Sequence, residues 1–420
     1  MCIRVSRLVL EFACAISILA VSPRSARADV LRLSLTEALS RASAEAPEVI
    51  VAQHAVRQAE ARRVGAGVVM PVNPRLSVDA RPPLTGGGGY RDVGYGAMLD
   101  FLFDVGGAPG ARVREAEREA GVARADLAFD RTEARLRAFA AYVGAQIAEL
   151  RIAEARAAME ISKRVLSAAQ HRVATGAASD LEPAAAELDL ALIQAQEASW
   201  LRERDARLME LRDALDLAPD VRLELTSPIT EPPQLQELSH YMAKATHEHP
   251  ALAALRARAD VLEATETRLE REVFPRVGFF AGVDAAPLSP IFGIVGVSIE
   301  LPVAQRNQGP RAVVARAREG TRTRLELEVR RRARGVIVAW NAYDARRTEL
   351  ERISSRAMPA ATRTLSLAEA GWQAGRFDLF RLLTAARDAL RVRASRIDAL
   401  EAAWTARIEL ERAVGDQVSS

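Results

Sequence analysis

The chain has 420 residues, and its 58 Lys and Arg residues nearly balance its 55 Asp and Glu residues, leaving a formal net charge of +3. The basic run at residues 330–334 lies beside acidic residues in helix-like sequence, so we interpret it as a solvated helix face and expect no nucleic-acid partner. No stretch beyond the N-terminal segment has the roughly 18 uninterrupted apolar residues of a membrane helix, so a membrane crossing would have to use strands.

The first 28 residues have the pattern of a secretory signal peptide. Basic residues precede an apolar stretch over residues 8–21, and an Ala-x-Ala sequence ends at Ala28. Glu11 within the apolar stretch departs from the pattern. Both cysteines of the chain, Cys2 and Cys14, lie in this segment, so the mature protein is predicted to have neither disulfides nor thiolate metal sites.

The rest of the chain repeats one order of elements. Residues 29–230 and residues 231–420 each contain a helical segment, two strand-like segments and a very long helical tract. Gly176 interrupts the long tract of the first repeat, and Gly375 interrupts that of the second. Because the two repeats supply the same elements, we expect them to form one structural unit together.

Four strands are predicted from alternating apolar and polar residues, two in each repeat. Each has about the length of a tilted membrane strand, with one apolar face and one face of polar or small residues. Because the smallest closed barrels need about eight strands, one chain cannot close a barrel alone, whereas three chains would supply twelve. The predicted strands are residues 75–81, 93–103, 276–284 and 291–301.

The long tracts show apolar residues at every seventh position, for example at Phe129, Leu136 and Val143. This spacing predicts coiled-coil packing between neighbouring helices. The first tract, residues 111–173, would be roughly 90 Å long as a helix. Since glycine ends helices and Ser or Asp can cap the next one, each tract is predicted to form a helical hairpin with a tight tip. The predicted fold class is therefore mainly α, with a membrane β part.

Several motifs, taken in this order, resemble the TolC family of outer-membrane efflux channels. They are Leu33-Ser-Leu-Thr-Glu-Ala-Leu, Met70-Pro-Val-Asn-Pro, Leu301-Pro-Val-Ala-Gln-Arg-Asn-Gln-Gly and Leu410-Glu-Arg-Ala-Val-Gly. The Arg-Asn-Gln-Gly element is similar to the CzcC-like branch, which serves heavy-metal efflux pumps. The resemblance implies a homotrimer, with a twelve-stranded barrel in outer-membrane lipid and a long helical tunnel in the periplasm. Both repeats would then form one barrel-plus-tunnel unit. It also implies two protein partners, a periplasmic adaptor (membrane fusion) protein and an inner-membrane efflux pump.

The same resemblance assigns roles to the hairpin tips, which dock the adaptor in such channels. The tunnel of the relatives narrows just past the second tip, often at acidic residues, whereas this chain has Arg381 and Thr384 there and Glu182 at the matching place of the first repeat. An ion pair between Glu182 and Arg381 is one hypothesis for a latch. The docking residues assigned in this way are Thr175, Gly176, Ala177, Ser179, Ala374, Gly375, Arg376 and Phe377.

A polar corner, Arg306, Asn307, Gln308 and Gly309, joins the last strand to the following helix. We interpret it as a constrained joint that sets the direction of the helix, because asparagine and glycine tolerate tight backbone geometry. A generic polar turn is the alternative.

Three histidines, His240, His247 and His249, lie close together ahead of Pro250. A metal site is one interpretation, but His249 precedes a proline and is expected to leave its helix, so we favour surface histidines at a helix end. No metal or cofactor site is assigned. The glycine groups lack the spacing of a dinucleotide-binding loop, and no nucleophile and base are arranged for catalysis, so an enzyme is not expected.

The sequence thus predicts a passive channel from the periplasm to the exterior, located in the outer membrane with a large periplasmic portion. It would belong to a tripartite efflux system that serves a heavy-metal or drug pump of the RND type. Two alternatives stay open, the outer-membrane channel of a type I protein secretion system and a periplasmic coiled-coil scaffold without a pore.

Overall fold

The computed structural model describes residues 30–82, 93–176, 178–285 and 290–415. The predicted signal peptide and the predicted tip residue Ala177 lie outside these residues, as do most of the two predicted hairpin loops. The described chain combines nine α-helices, one π-helical turn and six strands. The prediction of a mainly α chain with four longer strands set apart from the helices is confirmed.

The element bounds follow the sequence closely in the membrane strands, where predicted and observed ends differ by at most one residue. In chain order the elements are β1 (Val30–Leu33), α1 (Leu35–Glu45), α2 (Pro47–Ala66), β2 (Arg75–Arg81), β3 (Gly94–Asp104), α3 (Ala108–Ala174), α4 (Leu181–Ala214), β4 (Arg222–Leu225), α5 (Leu238–His247), α6 (Pro250–Arg271), β5 (Arg276–Ala285), β6 (Phe292–Glu300), α7 (Gln308–Arg352), a π turn (Ile353–Ala357), α8 (Met358–Gln373) and α9 (Leu379–Val414).

Four strands form one antiparallel sheet in the order β2-β3-β5-β6. Each repeat contributes one hairpin, and the two hairpins join where β3 pairs with β5, for example at Phe101 opposite Phe279. Because side chains alternate along each strand, this register places the apolar set of all four strands on one face. The outer sides of β2 and β6 have no partner strand within the described chain.

A second, two-stranded sheet pairs β1 with β4 in parallel and was not predicted. It ties the start of the described chain to the segment after α4, with Leu33 opposite Leu225. The Tyr142 hydroxyl of α3 lies 3.3 Å from the Leu33 carbonyl and 3.0 Å from the Ser227 amide, which fixes this sheet to the helices. The described residues therefore contain six strands, of which four form the larger sheet.

Local sequence explains the breaks in the shorter helices. Ser34 caps α1 in a capping box with Glu37, whose amide donates to the Ser34 hydroxyl at 3.2 Å. Pro47 and Pro250 each stand at the first position of a helix, where a missing N–H costs nothing. The two repeats thus break their first helical segment at corresponding prolines.

The longest helix, α3, has 67 residues and is about 100 Å long. Its buried positions are mostly alanine, which lets neighbouring helices approach closely. The second long tract was predicted to be interrupted only at Gly375, but the structure divides it earlier. A π turn from Ile353 to Ala357 precedes Pro359, which has no N–H to donate, so the wider turn accommodates the proline without ending the tract.

The helices form a wall whose order changes along its length. On the side of the larger sheet the neighbours run α2, α3, α6, α7, and toward the tips they run α4, α3, α9, α8. A central apolar cluster that includes Leu136, Phe139 and Ile397 joins α3 to α9. Within the described residues, no helix is both long enough and apolar enough to cross a membrane.

Candidate functional site

The first hairpin tip is a compact turn between α3 and α4. Gly176 adopts a left-handed conformation, with a φ of +73°, and its amide donates to the Val173 carbonyl at 2.9 Å. The Thr175 hydroxyl lies 3.0 Å from the Arg172 carbonyl and so satisfies the end of α3. The amide of Glu182 donates to the Ser179 carbonyl at 3.1 Å, which starts α4. Thr175, Gly176 and Ser179 are exposed at this tip.

The second tip repeats this design with an aromatic lid. Gly375 has a φ of +68°, and the amides of Arg376 and Phe377 both donate to the Gly371 carbonyl, at 2.8 and 3.1 Å. The Phe377 ring lies directly on Gly371, since a Cβ added there would be 2.3 Å from the ring. Asp378 then caps α9 by accepting from the Arg381 amide. Ala374 to Phe377 are exposed.

The residues predicted at the tunnel constriction have other neighbours within one chain. Glu182 lies 3.9 Å from Arg172 of its own hairpin. The Arg381 guanidinium lies 5.5 Å from the centre of the Phe377 ring, and the Thr384 hydroxyl donates to the Phe380 carbonyl at 2.8 Å. The structure therefore does not bring Glu182 and Arg381 together in the described part of one chain.

A buried cluster holds the two hairpins together just above the tips. It is formed by apolar residues of α3, α4, α8 and α9, among them Ala169, Ala186, Leu365 and Leu382. The sequence analysis did not identify this cluster as part of the site. Its signal is the heptad spacing, which marks buried positions but does not show which helices share them.

The strand-to-helix joint predicted at residues 306–309 is held by its own side chains. Asn307 takes the left-handed conformation, with a φ of +56°, and its side-chain amide donates to the Leu269 carbonyl at 3.0 Å. The Gln308 side chain accepts from the Arg306 amide at 2.7 Å. Gly309 lies within α7, with open space at its Cβ position.

The corresponding joint of the first repeat contains a buried ion pair that sequence reasoning missed. The Asp104 side chain is 3% exposed and accepts from Arg112 at 2.7 Å and from Arg276 at 3.0 Å. Arg112 also donates to the carbonyls of Ala66 and Val68. This cluster joins both membrane hairpins to the start of α3, and only the three-dimensional arrangement brings its members together.

The two faces of the larger sheet differ in chemistry. The apolar face carries residues such as Leu76, Phe279 and Val297, which are 68%, 50% and 58% exposed. The other face carries mainly charged and small residues, with a few large apolar ones such as Met98, Phe280 and Ile294. An ion pair between Arg81 and Asp284 links β2 to β5 on this face. The predicted alternation is therefore preserved across all four strands.

A broad groove lies on the helical wall near the sheet, where α2, α3, α6 and α7 line an open cavity of about 960 Å³. Its charged lining contains the carboxylates of Glu48, Glu119, Asp126 and Asp130 and the guanidinium groups of Arg62 and Arg258. Burial, and then the negative charges of Asp126, Glu48 and Glu133, raise the pKa of Asp130 above its usual value. Ion pairs with Arg137, Arg62 and Arg258 balance the charges of Glu48, Glu119 and Asp126, so the groove carries little unbalanced negative charge.

The three histidines of α5 and of the start of α6 do not form a common site. His240 and His247 are exposed as expected, but His249 is 2% exposed, so the prediction of a surface residue is wrong for it. Its Nδ1 accepts from the Ala251 amide at 3.0 Å and caps α6, and its ring packs against Gly415. Among the residues that the structure describes, no group of three or more His, Cys, Asp or Glu side chains could hold a metal ion.

Comparison with known proteins matches both the sequence and the fold. A family model described as outer membrane efflux protein matches residues 38–216. The cobalt-zinc-cadmium resistance protein CzcC of Cupriavidus metallidurans is 25% identical over 326 residues, which cover 76% of each chain. The nickel-cobalt-cadmium resistance protein NccC of Alcaligenes xylosoxydans xylosoxydans is 28% identical over 305 residues, which cover 70% of this chain and 68% of NccC. Among solved structures, the outer membrane protein VceC of Vibrio cholerae has a TM-score of 0.71 at 17% identity, covering 92% of this chain and 97% of VceC.

Proposed function

We propose that this outer-membrane efflux channel, whose residues 38–216 match the outer membrane efflux protein family, is the passive exit conduit of a tripartite efflux system. Its large helical portion lies in the periplasm. In this proposal a pump supplies the energy, an adaptor connects pump and channel, and the channel itself carries no enzymatic activity. The observation that carries it is the union of a four-stranded sheet, apolar on one face, with a helical wall that ends in two tight tips.

A homotrimer follows from the open edges of the sheet. Unpaired strand edges are not tolerated in lipid, since each free N–H and C=O would lose its hydrogen bond to water. The free side of β2 in one chain and that of β6 in the next can satisfy each other, and three chains then close a ring of twelve strands. Both repeats would contribute to this single barrel and to the tunnel below it.

The two tips are the proposed docking surface for the adaptor. They lie at the far end of the helices from the sheet, and each is a short turn fixed by a left-handed glycine, Gly176 or Gly375. Exposed Arg376 and Phe377 at the second tip offer a cation and an aromatic ring to a partner. Rigid turns of this kind present side chains to a partner without a large ordering cost.

We also propose that Glu182, Arg381 and Thr384 lie at the narrowest part of the tunnel. Arg381 and Thr384 lie on an exposed face of α9 close to the second tip, and Glu182 lies at the same level of the first hairpin. Since Glu182 and Arg381 do not meet within one chain, an ion pair between them would have to join neighbouring chains. If either Glu182→Arg or Arg381→Glu alone changes the conductance of the channel, the double variant, in which the two charges are exchanged, should regain the native conductance.

The proposed cargo is a divalent metal cation. The two relatives at 25% and 28% identity are named for resistance to cobalt, zinc, cadmium and nickel. Neither relative is described as a secretion channel or as a scaffold, and no described feature of the chain favours those alternatives.

The assembly is tested by the particle mass of the mature protein extracted with detergent from purified outer membranes. A trimer is the expected result, and a monomer or dimer in the soluble periplasmic fraction would contradict the channel. The cargo is tested in the strain of origin by deleting the gene. Sensitivity to zinc, cobalt or cadmium that is reversed by the intact gene supports metal efflux, whereas sensitivity to drugs alone would reassign the cargo.

A further inference from the structure

Helix α4 carries an exposed apolar stripe that has no partner among the described residues of its own chain. Leu181, Leu188 and Leu192 are 62%, 59% and 59% exposed, and Met209 on the same stripe is 49% exposed. Their spacing is that of the core positions of a heptad, which normally face a second helix. In the described chain α4 packs on α3 through its other side, so this stripe is left uncovered.

Helix α8 presents a complementary edge. It packs against α9, while Leu367 on its outer side is 61% exposed. Three exposed alanines flank this leucine at spacings of three or seven residues, Ala360, Ala370 and Ala374. Small residues around a single leucine leave room for the larger side chains of another helix to insert.

The two edges lie at opposite ends of the helical wall and at matching heights. The order α4, α3, α9, α8 puts α4 at one edge and α8 at the other. Asp189 and Arg387, which contact each other, each lie eight residues after the start of their helices, so the two tips are level. Leu188 and Leu367 both lie about 10 Å above the tips.

Unpaired charges on the two edges also match. Glu187 on α4 and Arg363 on α8 lie within about one helical turn of the same height, as do Arg202 on α4 and Glu351 near the end of α7. In the part of the chain that the structure describes, none of these four side chains has an ion-pair partner. Counted from the tip, the α4 edge therefore has an acidic residue followed by a basic one, whereas the α8 edge has a basic residue followed by an acidic one.

We propose that α4 of one chain forms an antiparallel coiled coil with α8 and the end of α7 of the next chain, with Leu188 packed against Leu367. Glu187 then pairs with Arg363, and Arg202 pairs with Glu351. The proposal rests on the trimer proposed above and adds the helices, the register and the ion pairs by which neighbouring chains meet near the tips. Because the contact joins two different edges, it generates a closed ring rather than a pair.

Cysteine cross-linking tests the register, since both native cysteines lie within the predicted signal peptide. We expect Leu188→Cys with Leu367→Cys, and Ala195→Cys with Ala360→Cys, to give covalent dimers and trimers on oxidation in outer membranes. The swapped pairs, Leu188→Cys with Ala360→Cys and Ala195→Cys with Leu367→Cys, place their sulfurs about 10 Å apart along the helices and should stay monomeric. Each single variant should also stay monomeric.

The outcomes distinguish the proposed contact between α4 and α8 from the proposed trimer itself. If the detergent particle has the mass of a trimer but the matched pairs do not cross-link, the contact between α4 and α8 is wrong and the trimer stands. If the swapped pairs cross-link, the proposed register is wrong. The absence of any oligomer removes both proposals. If a cysteine pair prevents assembly, the charges provide the second measurement. Glu187→Arg should lower the temperature at which the trimer dissociates, and adding Arg363→Glu should restore it; a further loss in the double variant would contradict the pairing.

Discussion

The Asp189 carboxylate on α4 accepts a hydrogen bond of 2.8 Å from Nε of Arg387 on α9 and joins the first hairpin to the second near their tips. Asp189 is 10% exposed at its side chain, while Arg387 is half exposed. The pair closes the upper side of the buried cluster that holds the tips together. An Asp189→Asn variant should lower the free energy of unfolding by about 1–2 kcal/mol, because a neutral amide replaces a charged acceptor with little exposure.

The measurement is the thermal melting of the solubilised protein, together with the sensitivity of cells to a bulky antibiotic that the outer membrane excludes. We expect a lower melting temperature and greater sensitivity. Asp388→Asn is the matched control, since Asp388 pairs with Arg391 of its own helix at 3.4 Å and is exposed. An equal effect of the two substitutions would show that the link between hairpins contributes nothing.

A charge on the apolar face of the sheet should prevent membrane assembly. Val297→Arg would place a guanidinium in lipid, at a cost of about 2–4 kcal/mol near the middle of the bilayer. Ser298→Arg, one residue along β6, points to the opposite face and should be tolerated. The amount of protein recovered from the outer membrane distinguishes them, and equal recovery would contradict the assigned faces. Gly96 is a poor control, because a Cβ there would be 2.6 Å from Asp79.

The aromatic lid of the second tip should depend on Gly371. Gly371→Ala puts a Cβ 2.3 Å from the Phe377 ring and so displaces both that ring and the cation above it, Arg381. We expect normal amounts of assembled channel but reduced resistance when the variant replaces the native protein. Gly335→Ala, with open space at its Cβ, should instead stabilise α7 by about 0.5–1 kcal/mol. Full activity of the Gly371 variant would show that the position of Phe377 does not matter for docking.

The cap of α6 should make stability depend on pH through His249. Burial, followed by the positive charge of Arg332, lowers the pKa of His249 from 6.5 to about 4. The unfolded chain therefore binds this proton more readily than the folded chain, and the stabilisation is lost as the pH falls from about 6.5 to about 4. The loss should be about 2–3 kcal/mol, since the proton also removes the Nδ1 acceptor of the cap.

Melting curves across this pH range measure the effect, with His249→Asn as the control. Asparagine can still cap the helix but does not titrate, so its melting temperature should vary less with pH than that of the native protein. Identical pH slopes would assign the acid sensitivity to carboxylates instead.

The sequence predicted the strands and the long helices because both patterns are local. Proline and glycine mark the ends of Arg75–Arg81 and of α3, and alternation or heptad spacing fills the interior. By contrast, β1 and β4 have four residues each, and each forms a strand only by pairing with a segment far away in the chain. The burial of His249 was missed for the same reason, since its neighbours Arg332 and Gly415 come from α7 and from the residue that follows α9.

The candidate site was predictable to a similar degree. Glycines and caps located both tips, because a left-handed residue is a local requirement. Asp104, Arg112 and Asp189 gave no local signal, because each is an ordinary charged residue until folding brings its partner within reach. The roles of Glu182, Arg381 and Thr384 stay predictions.

The parallel pairing of β1 with β4 sets an order of folding during export. Val30 lies opposite Arg222, so the first strand of the described chain cannot find its partner until more than half of the polypeptide has emerged. The larger sheet forms later still, because β3 pairs with β5, which lies further along the chain than β4. Contacts so distant in sequence form slowly, and the apolar strand surfaces stay open to water and to other chains meanwhile. A newly exported chain therefore needs protection from aggregation until its second half arrives.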